Sequence, residues 1–284
     1  MQGPSKVWLV HNESSGSNDA DALAAVRAAF AEAGLTLLGD SCFPRDDPPS
    51  PAELDASGAD TVAVFAGDGT ISSIARMLED WSGKMLPLPG GTMNMLARRL
   101  HGDSTPVEII ARFKDGIVRQ VQPPVIVSRH AVGLTGALLG PGTAWADVRE
   151  AMRTIDVPQL VSTASEAIAL STGGPKVVCR DADCGREEGY TAITLTPHDD
   201  GIEGAGYYAD GIGDFAKQAV ALLQRDFRNG PHEVLGRHLK VTLACPQGEP
   251  MGLLIDGEPY DGAVEEEFAL GTSKVAFWLT ADAR

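Results

Sequence analysis

A buried strand that leads through a glycine-containing turn into a helix occurs twice in close succession in this sequence. Thr61–Phe65 is continuous in apolar and β-branched residues, which is typical of a parallel strand covered on both faces. The turn Ala66–Thr70 and a helical stretch follow it, and the same order recurs in Met85–Leu88 and Pro89–Asn94. This alternation predicts an open parallel sheet with helices on both faces, in which ligands bind at the carboxyl ends of the strands.

The N-terminal segment predicts a further strand and helix of the same kind. Val7–Val10 is a short apolar run, and the polar turn after it contains Asn12, Ser15 and Gly16. Apolar residues at helical spacing follow, and Gly34 is a typical helix stop. Three glycine-containing turns are therefore expected at one edge of the predicted sheet.

The second half of the sequence has a different pattern, in which short β-branched and apolar runs are separated by Gly, Pro and Asp. This pattern is typical of an antiparallel β domain, here with helical interruptions near residues 145–153 and 215–227. A chain of 284 residues is long enough for two hydrophobic cores. We therefore predict an α/β domain at residues 1–122 and a β-rich domain at 123–271, with residues 272–284 packing back on the first. The runs that carry the β pattern are Val125–Val127, Lys176–Cys179, Tyr190–Leu195, Lys240–Ala244 and Val275–Leu279.

Composition narrows the class of protein and its partners. The net charge of −16 argues against binding to nucleic acid, because the phosphate backbone would be repelled. No apolar run approaches the roughly 18 residues of a spanning helix, so a cytoplasmic protein without a transmembrane segment is expected, in which any membrane contact is peripheral. Cys42, Cys179, Cys184 and Cys245 do not form a zinc-binding pattern and are expected to be reduced. The sequence leaves open a homodimer.

Two of the glycine-containing turns, those after the strands Thr61–Phe65 and Met85–Leu88, carry side chains that suit a polyphosphate. In Gly67-Asp68-Gly69-Thr70 the glycines allow close backbone approach, and Asp68 suits a magnesium ion or a hydroxyl that must be oriented. Gly91-Thr92-Met93-Asn94 repeats the arrangement with a hydroxyl and a carboxamide, although Thr92 alone would also fit a simple helix cap. The P-loop and the Gly-x-Gly-x-x-Gly patterns are absent, which argues against an ordinary P-loop NTPase or a dinucleotide-binding domain.

These turns and one later motif together resemble those of a known superfamily. Ala66–Thr70 resembles the Gly-Gly-Asp-Gly-Thr signature of diacylglycerol kinases, sphingosine kinases and NAD kinases, with Ala66 in place of the first glycine. Pro89–Asn94 is similar to the Pro-x-Gly-Thr-x-Asn element of the lipid kinases. Asp256-Gly257-Glu258 resembles their Asp-Gly-Glu motif, although Asp-Gly between apolar runs is also a strong hairpin signal.

The resemblance implies a three-layer nucleotide domain, a C-terminal antiparallel β-sandwich for the lipid substrate, and an active site in the cleft between them. It implies a lipid kinase that uses ATP and Mg²⁺, acts at a membrane surface, and phosphorylates a lipid of the diacylglycerol type. The residues implied to bind the nucleotide are Asn12, Ser15, Gly16, Gly67, Gly69, Thr70, Gly91, Thr92 and Asn94.

The resemblance also implies roles for five further residues. Asp256 would be the general base that accepts the proton of the lipid hydroxyl, with Glu258 beside it and Asp68 as a further catalytic carboxylate. Asp210 and the carbonyl group of Ile212 would hold the magnesium ion. Two alternatives remain open at this point: a soluble NAD kinase, and a regulator that binds a nucleotide without turnover.

Overall fold

The computed structural model of the chain describes residues 6–12, 20–91, 93–141, 176–181, 184–207 and 232–280. The chain divides into two compact units, of which the first comprises Met1–Pro123 and Thr272–Arg284 and the second Pro124–Gly271. The helices predicted near residues 145–153 and 215–227 lie outside the described residues.

The helices and strands of the described residues have the following bounds in chain order. They are β1 (Lys6–Asn12), α1 (Ala20–Glu32), β2 (Thr36–Phe43), α2 (Pro51–Ser57), β3 (Thr61–Ala66), α3 (Asp68–Met77), β4 (Lys84–Pro89), α4 (Met95–His101), α5 (Pro106–Lys114), β5 (Arg119–Val121), β6 (Pro124–Val127), β7 (Val132–Gly133), β8 (Ala137–Pro141), β9 (Val178–Cys179), β10 (Ala192–His198), β11 (Gly201–Tyr207), β12 (His232–His238), β13 (Lys240–Ala244), β14 (Met251–Ile255), β15 (Glu258–Asp261), β16 (Glu265–Thr272) and β17 (Ala276–Leu279).

The first unit contains a six-stranded sheet with the strand order β2-β1-β3-β4-β17-β5. Its first five strands in this order run parallel, and β5 pairs antiparallel with β17. The predicted parallel sheet is thus confirmed, and the run near Val275–Leu279 contributes its strand to this sheet. The chain goes from β1 to β2 on one side and to β3 on the other, so the strand order reverses between β1 and β3. Open α/β sheets bind ligands at such a switch point.

Helices cover both faces of this sheet. The helices α1 and α5 form one core with the sheet face that includes Leu9, Phe65 and Leu86. Residues that alternate with these along the strands, such as Val64 and Met85, are buried as well, and the remaining helices supply further buried side chains. The buried side chains of α2, α3 and α4 include Leu54, Ile71, Ile74, Ala75, Leu96 and Leu100. The result is a three-layer arrangement, as the sequence predicted.

Two helices, α2 and α5, have strong start signals to which sequence analysis assigned no element. Ser50 and Glu53 form a reciprocal capping box at α2, and Thr105 and Glu108 form another at α5. In both helices a proline occupies the first helical position, where its missing N–H costs nothing. The pattern Ser/Thr-Pro-x-Glu was therefore sufficient to find both helices.

The second unit consists of two sheets that share one core. The strand orders are β12-β11-β10-β8-β14-β15 and β7-β6-β16-β13-β9, and antiparallel pairs such as β10 with β11 and β13 with β16 build them. Leu139 and Ile193 from the first sheet lie in the same buried cluster as Leu243 and Phe268 from the second. Two antiparallel sheets with inner faces in one core form a sandwich.

The expectation of four reduced cysteines is wrong for one pair. Cys179 and Cys184 form a disulfide, with Cα atoms 5.7 Å apart, while Cys42 and Cys245 are free and buried. Cys179 ends β9, and this Cα separation lies in the range that a disulfide requires. Among the described residues no helix is long and apolar enough to cross a membrane.

Candidate active site

Polar and glycine residues of the first unit follow the carboxyl ends of three neighbouring strands. Asn12 ends β1, Gly67 and Asp68 follow β3, and Gly91 follows β4. Because β1, β3 and β4 are adjacent and parallel, these residues lie along one edge of the sheet, on both sides of the switch point. The sequence prediction that the turns share one edge is therefore confirmed for these residues.

A side-chain hydrogen bond crosses the switch point. The carboxamide Nδ2 of Asn12 donates to the hydroxyl Oγ1 of Thr70 at 3.1 Å. Asn12 is the last residue of β1, and Thr70 lies in the first turn of α3. The bond ties the end of one strand to the helix that follows the neighbouring strand, so both side chains are held at the same place.

The carboxylate of Asp68 binds the start of helix α4. The N–H group of Met95 donates to Oδ2 of Asp68 at 2.9 Å, and the N–H group of Leu96 donates to Oδ1 at 3.0 Å. First-turn N–H groups have no acceptor within their own helix, and a negative charge at this end also interacts favourably with the helix dipole. Asp68 thereby joins the turn after β3 to the turn after β4. Its predicted catalytic role stays a prediction.

The side chain of Asn94 forms two hydrogen bonds within the second turn. Its Oδ1 accepts a hydrogen bond from the N–H group of Gly91 at 2.8 Å, and its Nδ2 donates to the carbonyl group of Gly91 at 2.9 Å. The backbone of Asn94 is left-handed, with φ at 51°, immediately before α4. Asparagine tolerates this conformation better than most residues, because its short polar side chain can bond locally. The side chain therefore fixes the shape of the turn.

The two turns touch through their glycines. A Cβ atom added to Gly91 would lie 2.5 Å from Cα of Gly67, a distance that real Cβ atoms do not show. A Cβ added to Gly67 would meet Cα of Gly91 at 3.5 Å, which is ordinary contact. Ala66, which stands where the superfamily signature has glycine, is a buried residue inside β3, so an alanine fits there. Close backbone approach is thus required at Gly91 in particular.

Asp256 of the second unit lies at the tip of a tight hairpin. It joins β14 to β15 together with Gly257, and both have positive φ, 50° and 82°. A two-residue loop with these angles is a type I′ turn, for which Asp-Gly is a preferred sequence. The hairpin interpretation of this motif is therefore confirmed, and it does not conflict with a chemical role for the side chain.

The Asp256 carboxylate is buried against a short segment between β7 and β8. It accepts hydrogen bonds from the backbone N–H groups of Leu134 at 2.8 Å, Thr135 at 2.7 Å and Gly136 at 3.2 Å. The hydroxyl of Thr135 donates a fourth, at 2.6 Å. Only 7% of Asp256 is exposed, so these bonds replace most of the hydration of the carboxylate.

The sequence of the first unit matches a family model described as the diacylglycerol kinase catalytic domain, over residues 6–123. That range contains β1, β3, β4 and the turns that follow them. The likeness to this family in sequence therefore concerns residues 6–123, which are less than half of the chain. No curated protein matches the chain in sequence.

Solved structures share the fold of nearly the whole chain. One is described as a diacylglycerol kinase from Bacillus anthracis str. Sterne, with 16% sequence identity, a TM-score of 0.59 and 96% of each chain covered. Another from the same organism, provisionally named as a diacylglycerol kinase, has 16% identity and a TM-score of 0.62 and covers 96% of this chain and 95% of its own. At this identity the likeness shows a common fold.

Several other residues predicted to belong to the site lie in the second unit or outside the described residues. Glu258 opens β15 in the second unit, opposite Ile255, and is half-buried. No group of three or more His, Cys, Asp or Glu suited to a metal ion occurs in the part of the chain that the structure describes. The predicted residues that lie outside the described residues are Ser15, Gly16, Thr92, Asp210 and Ile212.

The segment Leu134–Gly136, which donates four hydrogen bonds to the Asp256 carboxylate, was not among the residues predicted from the sequence. Three of the four hydrogen bonds come from backbone N–H groups, which every residue except proline has, so residue types give no signal for them. Thr135 is an ordinary threonine before a glycine in the sequence. Its distance of 121 residues from Asp256 along the chain hides the contact from any local pattern.

Proposed function

We propose that this protein is a lipid kinase that transfers the γ-phosphoryl group of ATP to a hydroxyl group of a lipid of the diacylglycerol type. The match of residues 6–123 to the diacylglycerol kinase catalytic domain indicates a kinase-like domain. The single observation that carries the proposal is the meeting of Asn12, Asp68, Thr70, Gly91 and Asn94 at the carboxyl edge of the sheet.

On the nucleotide side, the start of α3 offers the groups that a phosphate chain needs. Gly67 precedes the helix and has no side chain to accept hydrogen bonds from first-turn N–H groups, so these groups and the helix dipole favour a phosphate. The hydroxyl of Thr70 and the carboxamide of Asn12 are held together beside this turn. We assign ATP binding to Asn12, Gly67, Gly69, Thr70, Gly91 and Asn94, together with Ser15, Gly16 and Thr92.

The donor set fits a nucleotide phosphate chain better than a metal ion. Backbone N–H groups, a hydroxyl and a carboxamide N–H are hydrogen-bond donors, which phosphate oxygens accept, whereas a cation needs oxygen ligands. Magnesium bound with ATP would neutralise the charge that develops on the transferred group. Asp210 and Ile212 are proposed to hold this ion, and the carboxylate of Asp68 keeps the two turns joined.

On the acceptor side, Asp256 is proposed as the general base, with Glu258 beside it. An alcohol is a poor nucleophile until a positioned carboxylate accepts its proton during transfer. The carboxylate of Asp256 is held in one orientation by four hydrogen bonds, which is the kind of support that a catalytic side chain needs. A lipid acceptor also implies peripheral contact with a membrane, which we propose for a cytoplasmic protein; a homodimer is left open.

The assay that tests the proposal follows labelled phosphate from ATP into dioctanoylglycerol held in detergent micelles. We expect the wild-type protein to form labelled lipid phosphate. The rate of labelling should be lower by about 100-fold or more in the Asp256→Asn variant, because this substitution removes the proposed base. Asn is preferred to Ala, because it keeps one oxygen acceptor for the segment 134–136 and tolerates positive φ.

Two outcomes would contradict the proposal. If label appears in NADP when NAD is supplied, and none appears in lipid, the protein is an NAD kinase. If Asp256→Asn folds normally and labels the lipid as fast as the wild type does, Asp256 is not the base. Thermal unfolding of the variant, measured beside the wild type, shows whether it is folded.

A further inference from the structure

We propose that Thr135 is a positioning residue for the reaction, because its hydroxyl fixes the orientation of the Asp256 carboxylate. The inference rests on the proposed function, in which Asp256 accepts a proton from the acceptor alcohol. It assigns a role to a residue that lies outside the motifs described for this sequence. The observation behind it is the set of hydrogen bonds between Asp256 and the segment Leu134–Gly136.

Four hydrogen bonds to the carboxylate come from donors in one short segment, which holds that side of the carboxylate. Three of them reach Oδ1: the N–H and the hydroxyl of Thr135 and the N–H of Gly136. The N–H of Leu134 reaches Oδ2. With both oxygens held, the carboxylate group cannot rotate about its bond to Cβ without breaking hydrogen bonds to charged oxygen, which are among the stronger ones in proteins.

The segment itself is fixed in place by its surroundings. The N–H group of Asp256 donates to the carbonyl group of Gly136 at 3.0 Å, so backbone and side chain of Asp256 bind the same segment. Gly136 has φ at 156°, and a Cβ atom there would lie 2.5 Å from the carbonyl oxygen of Leu195. A Cβ at Gly133, just before the segment, would lie 2.9 Å from Cγ2 of Ile255. The backbone that carries the donors is therefore closely packed against its neighbours at Gly133 and Gly136.

Thr135 is the one member of this set that a substitution can remove without changing the backbone. The other three donors are main-chain N–H groups, which remain whatever the side chain is. Its hydroxyl makes the shortest of the four bonds, at 2.6 Å, and Thr135 is only 7% exposed, so water has little access to replace it. Loss of this hydroxyl removes the shortest of these hydrogen bonds from Oδ1 and weakens the orientation of the carboxylate.

The step that depends on this orientation is the deprotonation of the acceptor. As the oxygen of the alcohol forms its bond to the γ-phosphorus, the bond from that phosphorus to the β,γ-bridging oxygen breaks and ADP leaves. The proton of the alcohol passes to the carboxylate of Asp256. Thr135 does not touch the reacting atoms, and its effect is to hold the carboxylate that does.

The test compares three variants in the transfer of phosphate from ATP to dioctanoylglycerol. Thr135→Val replaces the hydroxyl by a methyl group of similar size, and Thr135→Ser keeps the hydroxyl. Thr191→Val is the matched control, because Thr191 is also a buried threonine of the second unit, but its hydroxyl donates to the backbone carbonyl of Tyr207.

We expect kcat of Thr135→Val to fall about 10- to 100-fold, the range that misplacement of a catalytic group produces, while KM for ATP stays within about twofold of the wild type. Thr135→Ser should recover most of kcat, and Thr191→Val should retain it. If Thr135→Val has the same kcat as Thr191→Val, or if its loss lies in KM alone, the inference is overturned and the proposed function stands.

Amide hydrogen exchange provides a measurement that does not need a substrate. In Thr135→Val the N–H groups of Leu134 and Gly136 should exchange about tenfold faster than in the wild type, because their acceptor is held less firmly. If the wild type transfers no phosphate to lipid, the proposed function fails, and this exchange alone decides whether Thr135 anchors Asp256. Unchanged exchange at both groups would overturn the anchoring.

Discussion

The two aspartates that the sequence motifs single out have the same kind of partner in the structure. Asp68 accepts hydrogen bonds from the backbone of Met95 and Leu96, and Asp256 accepts them from Leu134–Gly136. Each carboxylate thus binds a segment far away in sequence. A substitution that removes either carboxylate leaves N–H groups without their acceptor, so its effect on stability must be measured before its effect on activity is interpreted.

At the residue scale, the contact between the two glycine turns gives a prediction about stability. Gly91→Ala should lower the free energy of unfolding by about 1–3 kcal/mol, because the new Cβ would force apart backbone that is in contact with Gly67. Gly67→Ala is the matched control, since its Cβ would meet only an ordinary contact, and it should cost less than about 1 kcal/mol. Urea unfolding of both variants checks this; equal stability of the two would contradict the structure of the turns.

At the scale of elements, a buried histidine joins helix α4 to Thr280, which directly follows β17. Nδ1 of His101 lies 3.0 Å from the hydroxyl of Thr280, and Arg112 donates to the backbone of both residues. Burial lowers the pKa of His101 to about 3, and the nearby charge of Arg112 acts in the same direction. His101 is therefore neutral in the folded protein at neutral pH, and Thr280 is held against α4 by this neutral side chain and by the guanidinium group of Arg112.

The pKa of His101 sets the sign of a pH effect on stability. Between pH 6.5 and 3 the unfolded chain binds a proton on His101 that the folded chain does not bind, so stability should fall as the pH falls through this window. At 1.36 kcal/mol per pH unit, the loss from pH 6.5 to 4 is about 3 kcal/mol. Unfolding measured across this range checks the effect, with His101→Asn as the comparison; an equally steep pH dependence in that variant would contradict it.

The disulfide between Cys179 and Cys184 closes a short loop after β9, and its contribution can be measured directly. Closing a loop of this size restricts the unfolded chain and should stabilise the protein by about 2 kcal/mol. A thiol reductant should therefore lower the unfolding midpoint of the wild type. The double variant Cys179→Ser with Cys184→Ser should start from the lower midpoint and show no response to reductant. A wild-type midpoint that reductant does not change would contradict the disulfide.

The elements of the first unit agree well with the sequence prediction where a local pattern of residues determines them. Thr61–Phe65 and Met85–Leu88 lie inside β3 and β4, because a parallel strand buried on both faces needs a continuous apolar run. The helices α2 and α5 were missed although their capping boxes stand in the sequence. The disulfide was missed because two cysteines five residues apart do not reveal whether the chain between them turns back.

At the scale of the whole molecule, the pairing of distant segments is what the sequence did not reveal. The short runs of the second unit predicted antiparallel strands, but the order of strands in its two sheets depends on contacts between residues far apart in the chain. The same holds for the partners of Asp256, which lie 120 to 122 residues away. The return of β17 to the first sheet also pairs residues near 277 with residues near 85.

The central claim concerns the acceptor, and a mass-spectrometric screen of lipids tests it most directly. Total lipid extract is incubated with the protein and ATP that carries an isotopic label in its γ-phosphoryl group, and every lipid that gains the label is identified. We expect label in a lipid monophosphate whose parent has a free hydroxyl of the diacylglycerol type. Label that appears in no lipid, while NADP or another soluble product carries it, would contradict the account.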